Sequence, residues 1–335
     1  MHLKTSPPVV PSPVQSLEHP LFQQHGVRVF IKRDDLIHPI ISGNKWRKLK
    51  GNLAHAKALN KKGVLTFGGA YSNHIHALAY ACQQQGLASI GIIRGEEHYQ
   101  SNYTLRWAKH WGMTLSFVDR GTYRQRHQQG FLDELSKAYP DYIIVPEGGS
   151  NSLALSGMAE VMTELGDQQQ FDTLMLPVGS GGSIAGLLSN TTKQDANTQS
   201  SQRILGVAVL KNAEYLVNEI KQLTGKETSS SSTTSWQLLT EHHCGGYAKY
   251  SVEDANRLAD IIEITGVPFE PIYSGKMVLA LFKLLEQGYF AEGQKIMLLH
   301  TGGLQGIGGQ LERNLMPARL AKALQSHLPS APPAQ

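Results

Sequence analysis

The sequence predicts an α/β protein made of two open, twisted sheet domains with helices on both faces. Two observations carry this expectation. Short apolar runs alternate with amphipathic, helix-length stretches along most of the 335 residues, and glycine-rich or polar clusters follow several of those runs. Such a strand–helix–strand rhythm implies parallel pairing, because each connection must cross back over the sheet. The length suits two domains of roughly 150 residues each, and a hydrophobic content of 41% supplies a sizeable core.

Taken in order, residues 1–20 are rich in Pro and Ser and read as surface chain. The alternation of Val27, Val29 and Ile31 with Arg28, Phe30 and Lys32 reads as a strand over 27–32. Further strands are expected over 63–67, 88–93, 114–118 and 142–145, with a helix over 73–85 and amphipathic stretches between them. A second series has strands over 173–178, 204–209 and 295–300 and helices over 183–189, 213–223, 252–265 and 276–287. Residues 227–235 are nearly all Ser and Thr, too polar to bury themselves, and read as a mobile surface loop; the tail after Gln325 reads similarly. No solenoid period is present.

Composition removes several function classes. Lys and Arg total 31 against 27 for Asp and Glu, a formal charge of +4 that is too small and scattered to support nucleic-acid binding. Gly, His or Gln interrupts every apolar run before the roughly 18 residues needed to span a bilayer. With only Cys82 and Cys244, and no basic-then-apolar leader at the start, the expected compartment is the reducing cytoplasm.

Four clusters could carry chemistry, each placed after an extended segment, where open α/β sheets bind ligands. In Ser42-Gly43-Asn44-Lys45-Trp46-Arg47-Lys48, glycine permits close backbone approach, and a lysine sheltered by Trp46 could lose its proton and form an imine. A helix start with solvated lysines is the plainer reading. In Gly68-Gly69-Ala70-Tyr71-Ser72-Asn73-His74, a strand leaves into a helix whose free N–H groups and hydroxyl suit a carboxylate, and an ordinary N-cap by Ser72 or Asn73 is compatible with that. His74 and His76 are too close along a helix to share a metal, so no metal is expected.

The third cluster, Gly179-Ser180-Gly181-Gly182-Ser183, joins an apolar strand to a small-residue helix and suits a lone phosphate held by backbone N–H groups. Ile184 stands where a dinucleotide fingerprint needs Gly, and no Gly-Lys-Ser/Thr follows. The fourth comprises Tyr273-Ser274-Gly275-Lys276 and His300-Thr301-Gly302-Gly303: a tyrosine ring can stack on a flat cofactor, and the hydroxyl of Ser274 or Thr301 can reach a ring nitrogen.

In order and spacing these motifs, with Lys32-Arg33-Asp34-Asp35 and Pro146-Glu147-Gly148-Gly149-Ser150-Asn151, resemble the fold-type II (tryptophan synthase β-like) pyridoxal phosphate enzymes. Within them the chain is similar to the 1-aminocyclopropane-1-carboxylate deaminase and D-cysteine desulfhydrase family. The resemblance implies pyridoxal 5'-phosphate as a Schiff base on Lys45, its 3' oxygen bonded by Asn73 and its phosphate held by Gly179, Ser180, Gly181, Gly182 and Ser183. It implies that Ser72, Asn73 and His74 receive the carboxylate of a small amino-acid substrate, that Tyr273 stacks on the ring, and that a second tyrosine near the substrate is Tyr250, with Tyr247 as the alternative.

The division expected is a large cofactor domain from 1–48 plus 154–325, a small domain over 49–153 and a flexible tail over 326–335, and the resemblance implies a homodimer. Members that open the cyclopropane ring carry Glu after the stacking tyrosine and Leu before the paired glycines; Ser274 and Thr301 here resemble the desulfhydrase branch. A carboxylate near the ring nitrogen favours its protonated form and a stronger electron sink, whereas a hydroxyl does not compel it. Elimination of sulfide from D-cysteine is the expected reaction, with ring opening, another β-substituted amino acid, or a non-catalytic binding role as alternatives.

Overall fold

The computed structural model describes residues 7–189, 202–225 and 235–327. Its strands are β1 (Val14–Leu17), β2 (Arg28–Lys32), β3 (Gly63–Gly69), β4 (Ala88–Arg94), β5 (Met113–Val118), β6 (Tyr142–Val145), β7 (Thr173–Val178), β8 (Arg203–Ala208), β9 (Ser235–Leu239) and β10 (Lys295–Leu299). The helices are α1 (Pro20–Gln24), α2 (Asn44–Ala58), α3 (Asn73–Gln84), α4 (Tyr103–His110), α5 (Arg120–Arg124), α6 (Gln129–Ala138) and α7 (Ser152–Gln168). They continue as α8 (Gly182–Ser189), α9 (Tyr215–Thr224), α10 (Val252–Thr265), α11 (Ser274–Glu286), α12 (Gly306–Glu312) and α13 (Ala318–Ala323). No described helix is long and apolar enough to cross a membrane.

Two sheets form, ordered β1-β2-β10-β7-β8-β9 and β5-β4-β3-β6. Every pairing is parallel except β1 with β2, in which Val14 faces Lys32. The four-stranded sheet comes entirely from the chain between Gly63 and Val145, whereas the six-stranded sheet draws strands from both sides of that segment. Both sheets are covered on both faces. Alternate residues feed opposite cores: Met175, Leu205 and Leu298 pack on one side of the larger sheet, and Leu174, Ile204 and Met297 on the other. In the smaller sheet Val64 and Ile93 face one core, and Leu65 and Ile92 the other.

One expectation about the chain is corrected, and a second lies almost wholly outside the described residues. Residues 1–20 are not all surface chain, because Val14–Leu17 completes the sheet edge as β1 and Leu17 is buried. The Ser/Thr-rich stretch 227–235 lies outside the described residues except for Ser235, which opens β9 on the other edge. The tail after Gln325 is described only to His327, in a short 3-10 turn.

Helix α2 is fixed against α7 with almost nothing between the two backbones. A Cβ added at Gly157 would lie 2.0 Å from the Arg47 carbonyl oxygen, and one at Gly51 would lie 2.4 Å from that of Leu153. Gly157→Ala is therefore expected to cost about 1–3 kcal/mol, the usual penalty for overpacking a tight core, as read from the urea midpoint; an unchanged midpoint would mean that the helices separate freely. Beneath this contact Arg47 spans Asp34 and Glu164, and Glu164 also holds Lys32 at 2.6 Å. The strand β2, the turn after it and α2 are thereby locked together.

Candidate active site

The carboxyl ends of strands from both sheets open onto one cavity of about 940 Å³. Lys45, Ser72, Asn73, His74, Tyr273 and Thr301 line it, as do Gly179, Ser180, Gly181 and Ser183. The structure thus brings together residues that the chain spreads over more than 250 positions.

Lys45 sits in the first turn of α2, and the turn before it dictates where that helix can start. Gly43 has φ 64, and a Cβ there would fall 1.9 Å from the Thr301 carbonyl oxygen, so only glycine lets α2 begin against the segment after β10. The Asn44 N–H donates to that same carbonyl at 3.2 Å. The Lys45 ammonium donates to Asn44 Oδ1 at 3.1 Å, and burial lowers its pKa to about 8.

The loop after β7 forms an anion cradle. Gly181 has φ 74, turning the chain into α8, whose first-turn N–H groups have no partner within the helix. Lys48, one turn along α2 from Lys45, is buried and donates to the Gly148 carbonyl at 3.1 Å and to Ser150 Oγ at 2.9 Å. Burial, and then the charge of Lys45, pushes its pKa far down. Ser150 Oγ lies 2.7 Å from Ser180 Oγ, and Asn44 Nδ2 donates to Ser183 Oγ at 2.9 Å. Gly182 opens α8, so its N–H is among these first-turn donors, and a Cβ there would meet Ser150 Oγ at 2.4 Å and Lys48 Nζ at 2.9 Å. Sequence reasoning left Lys48 among the solvated lysines, and only its one-turn spacing from Lys45 hinted otherwise.

The loop after β3 places its groups as a helix start. Ser72 caps α3, its Oγ accepting from the Ile75 N–H at 3.3 Å, so the capping and ligand-facing readings coexist. Asn73 faces Gly303, where a Cβ would lie 2.9 Å from Asn73 Nδ2. The buried His74 is more constrained. Thr66 Oγ1 donates its one hydrogen to the Val145 carbonyl at 2.7 Å, so at the 2.8 Å contact with His74 Nε2 the imidazole must be the donor. Burial, and then Lys45 and Lys48, keep this imidazole neutral, leaving Nδ1 a bare acceptor. Its side chain therefore cannot donate to a carboxylate, and any such bond must come from backbone N–H groups of the α3 start.

Two tyrosines and a carboxylate complete the site. Tyr273 immediately precedes α11, and its hydroxyl lies 3.1 Å from that of Tyr247, which also lines the cavity. Tyr250, expected near the substrate, is turned away: its hydroxyl lies 3.2 Å from both Gln310 Oε1 and the Leu315 carbonyl oxygen, its one hydrogen serving one of them. The cavity position belongs to Tyr247. Helix α11 starts two residues before the expected 276, so Ser274 lies in its first turn, fully buried. Its Oγ lies 3.2 Å from Glu270 Oε1 instead of facing the cavity. Glu270, missed in the sequence, accepts from the N–H groups of Ile272, Tyr273 and Ser274, yet burial raises its carboxyl to about 7.

These residues can hold a phosphate beside a lysine that gives up its proton at moderate pH, which is the chemistry needed to retain a phosphorylated aldehyde. A family model described as pyridoxal-phosphate dependent enzyme matches residues 5–302. A Thermotoga maritima protein named "Putative 1-aminocyclopropane-1-carboxylate deaminase" is 31% identical, covering 90% of this chain and 97% of its own. D-cysteine desulfhydrase of Klebsiella pneumoniae is 26% identical over 89% and 93% of the two chains. The solved structure of an ACC deaminase homologue superposes with a TM-score of 0.74 at 25% identity, covering 95% of each chain.

Proposed function

Because the chain belongs to the family of pyridoxal-phosphate-dependent enzymes, we propose that it is a lyase acting on a small β-substituted amino acid, with D-cysteine as the reference substrate. Water and D-cysteine give pyruvate, ammonia and sulfide. The observation that carries this reading is the convergence of Lys45, the anion cradle and the start of α3 on one cavity. The cofactor, when bound, supplies an electron sink that stabilises negative charge at the substrate Cα.

Lys45 would hold that cofactor covalently, Lys48, Ser180, Ser183 and the start of α8 its phosphate, and Tyr273 its ring face. The N–H groups at the start of α3, with Ser72 and Asn73, would take the substrate carboxylate. Lys45, with a pKa near 8, is partly neutral at physiological pH and is the group fit to remove the α-proton. Burial, and then Tyr247, hold the Tyr273 hydroxyl well above the ordinary tyrosine range, so it remains a proton donor toward the departing β-group. On this reading residues 1–48 with 154–325 form the cofactor-holding domain and 49–153 the smaller one. We assign the enzyme to the cytoplasm and to a homodimer, which sedimentation would measure.

Thr301, a neutral group on the cavity wall, favours elimination, which needs a weaker electron sink than ring opening. A second reading, ring opening of 1-aminocyclopropane-1-carboxylate, draws support from Glu270, whose carboxylate stands close behind Ser274. Assaying pyruvate and sulfide from D-cysteine, L-cysteine and the cyclopropane acid side by side separates the two. Sulfide and pyruvate from D-cysteine alone are expected; pyruvate from the cyclopropane acid would replace the first reading by the second.

A further inference from the structure

The cavity runs past the groups just described into an outer vestibule bordered by Arg94, Arg126, His127, Tyr215 and Glu219. Its volume of about 940 Å³ is near the upper end for pockets that take drug-sized ligands, more than a cofactor and a three-carbon amino acid require. Two guanidiniums there share one ring: Arg126 stands 4.8 Å and Arg94 5.7 Å from the centre of Tyr123. Arg126 is neutralised, its Nε donating to Glu147 Oε2 at 2.7 Å. Arg94 is not. No carboxylate of the described residues lies within 4.0 Å of its guanidinium, and its Nη2 would be 3.6 Å from a Cβ at Gly69, the residue that leads into the Ser72 loop. An exposed cation at the end of β4 is thus steadied by an aromatic face and aimed along the wall between the substrate carboxylate loop and the vestibule.

We propose that Arg94 is a specificity residue that binds an anionic oxyacid group on the substrate's side chain, so that the preferred amino acids carry a second negative charge beyond Cβ. This deepens the elimination reading by naming a substrate class for the same cavity. The two are tested apart because binding preference requires no turnover.

The probes are glutamate and glutamine, isosteric ligands that differ in the charge of the side-chain end, each as both enantiomers. Their dissociation constants are read from the absorbance of the cofactor-loaded protein, for wild type, Arg94→Gln and Arg94→Lys. Wild type should bind one glutamate enantiomer about ten- to a hundredfold more tightly than the matching glutamine, as a charge-assisted contact provides. Arg94→Gln should bring that ratio near one with glutamine affinity within about twofold of wild type, and Arg94→Lys should keep part of the preference. Equal affinities in wild type, no binding of either glutamate, or an equal loss for both ligands in Arg94→Gln would overturn the proposal. The last would assign Arg94 to the α-carboxylate or to the wall. A failure to release pyruvate from any of the three amino acids assayed above would instead refute D-cysteine as the reference substrate and leave this ratio intact.

Discussion

Lys45→Ala is expected to lower turnover of whichever amino acid the enzyme accepts by at least about 10³-fold, in keeping with removal of a positioned general base. The same change removes the covalent anchor. The cradle of Lys48, Ser180, Ser183 and the α8 start is untouched, so cofactor should still travel with the variant through gel filtration. Borohydride reduction followed by peptide mass mapping should mark position 45 in wild type and nothing in the variant. In wild type, covalent capture of added cofactor should quicken as pH rises through about 8, because only the neutral amine attacks and the ammonium dominates below that value. Undiminished turnover by Lys45→Ala would end the assignment of this lysine, and a label on Lys48 instead would move the chemistry one turn along α2.

Arg47→Met is expected to cost about 3–5 kcal/mol of stability, the range for breaking a buried ion pair by removing one partner. Arg47 is fully buried and grips two carboxylates in bidentate fashion, Asp34 at 2.6 and 2.8 Å and Glu164 at 2.8 and 2.9 Å. Without it Asp34 keeps only the Ser12 hydroxyl, at 2.6 Å, among the side-chain donors described for it. The pH dependence offers a second readout. Burial pushes the Glu164 carboxyl up, but bonds from Arg47 and Lys32 outweigh it and hold the group below the usual carboxylate range. A depressed folded-state value stabilises the protein above the unfolded pKa, and that contribution is lost as pH falls through the folded value. In the variant, the decline in urea midpoint as pH falls below about 5 should therefore be shallower. A loss well under about 1 kcal/mol would show that Lys32 alone can compensate both acids.

Strands fully buried in parallel sheets were legible from composition, since runs such as Val64-Leu65-Thr66-Phe67 and Leu174-Met175-Leu176 need no partner to declare themselves. The edges were not. Val14–Leu17 is short, carries Gln15 and Ser16, and owes its conformation to β2, while Ser235–Leu239 follows a stretch with no apolar pattern at all. Motif order picked out Lys45, the glycine loop after β7 and Tyr273, which all line the cavity, because glycines and hydroxyls at strand ends are local signals. Side-chain direction was not local: Tyr247 and Tyr250 lie three residues apart, and only the packing of Tyr250 against Gln310 and Leu315 decides which one meets Tyr273. Lys48 and Glu270 were missed for a related reason. Each is a charged residue whose burial depends on partners distant in the chain or on a helix start that the sequence placed two residues late.

The two sheets contribute different things to the shared cavity. Lys45 and the glycine loop hang from β2, β7 and the helices they feed, whereas the start of α3 and Arg94 hang from β3 and β4. Under the roles proposed above, a descendant gene could remodel the β3 and β4 ends to welcome a new amino acid without touching the groups assigned to the cofactor. Changes of diet and changes of chemistry would be separate mutational events, and the first is the cheaper to explore.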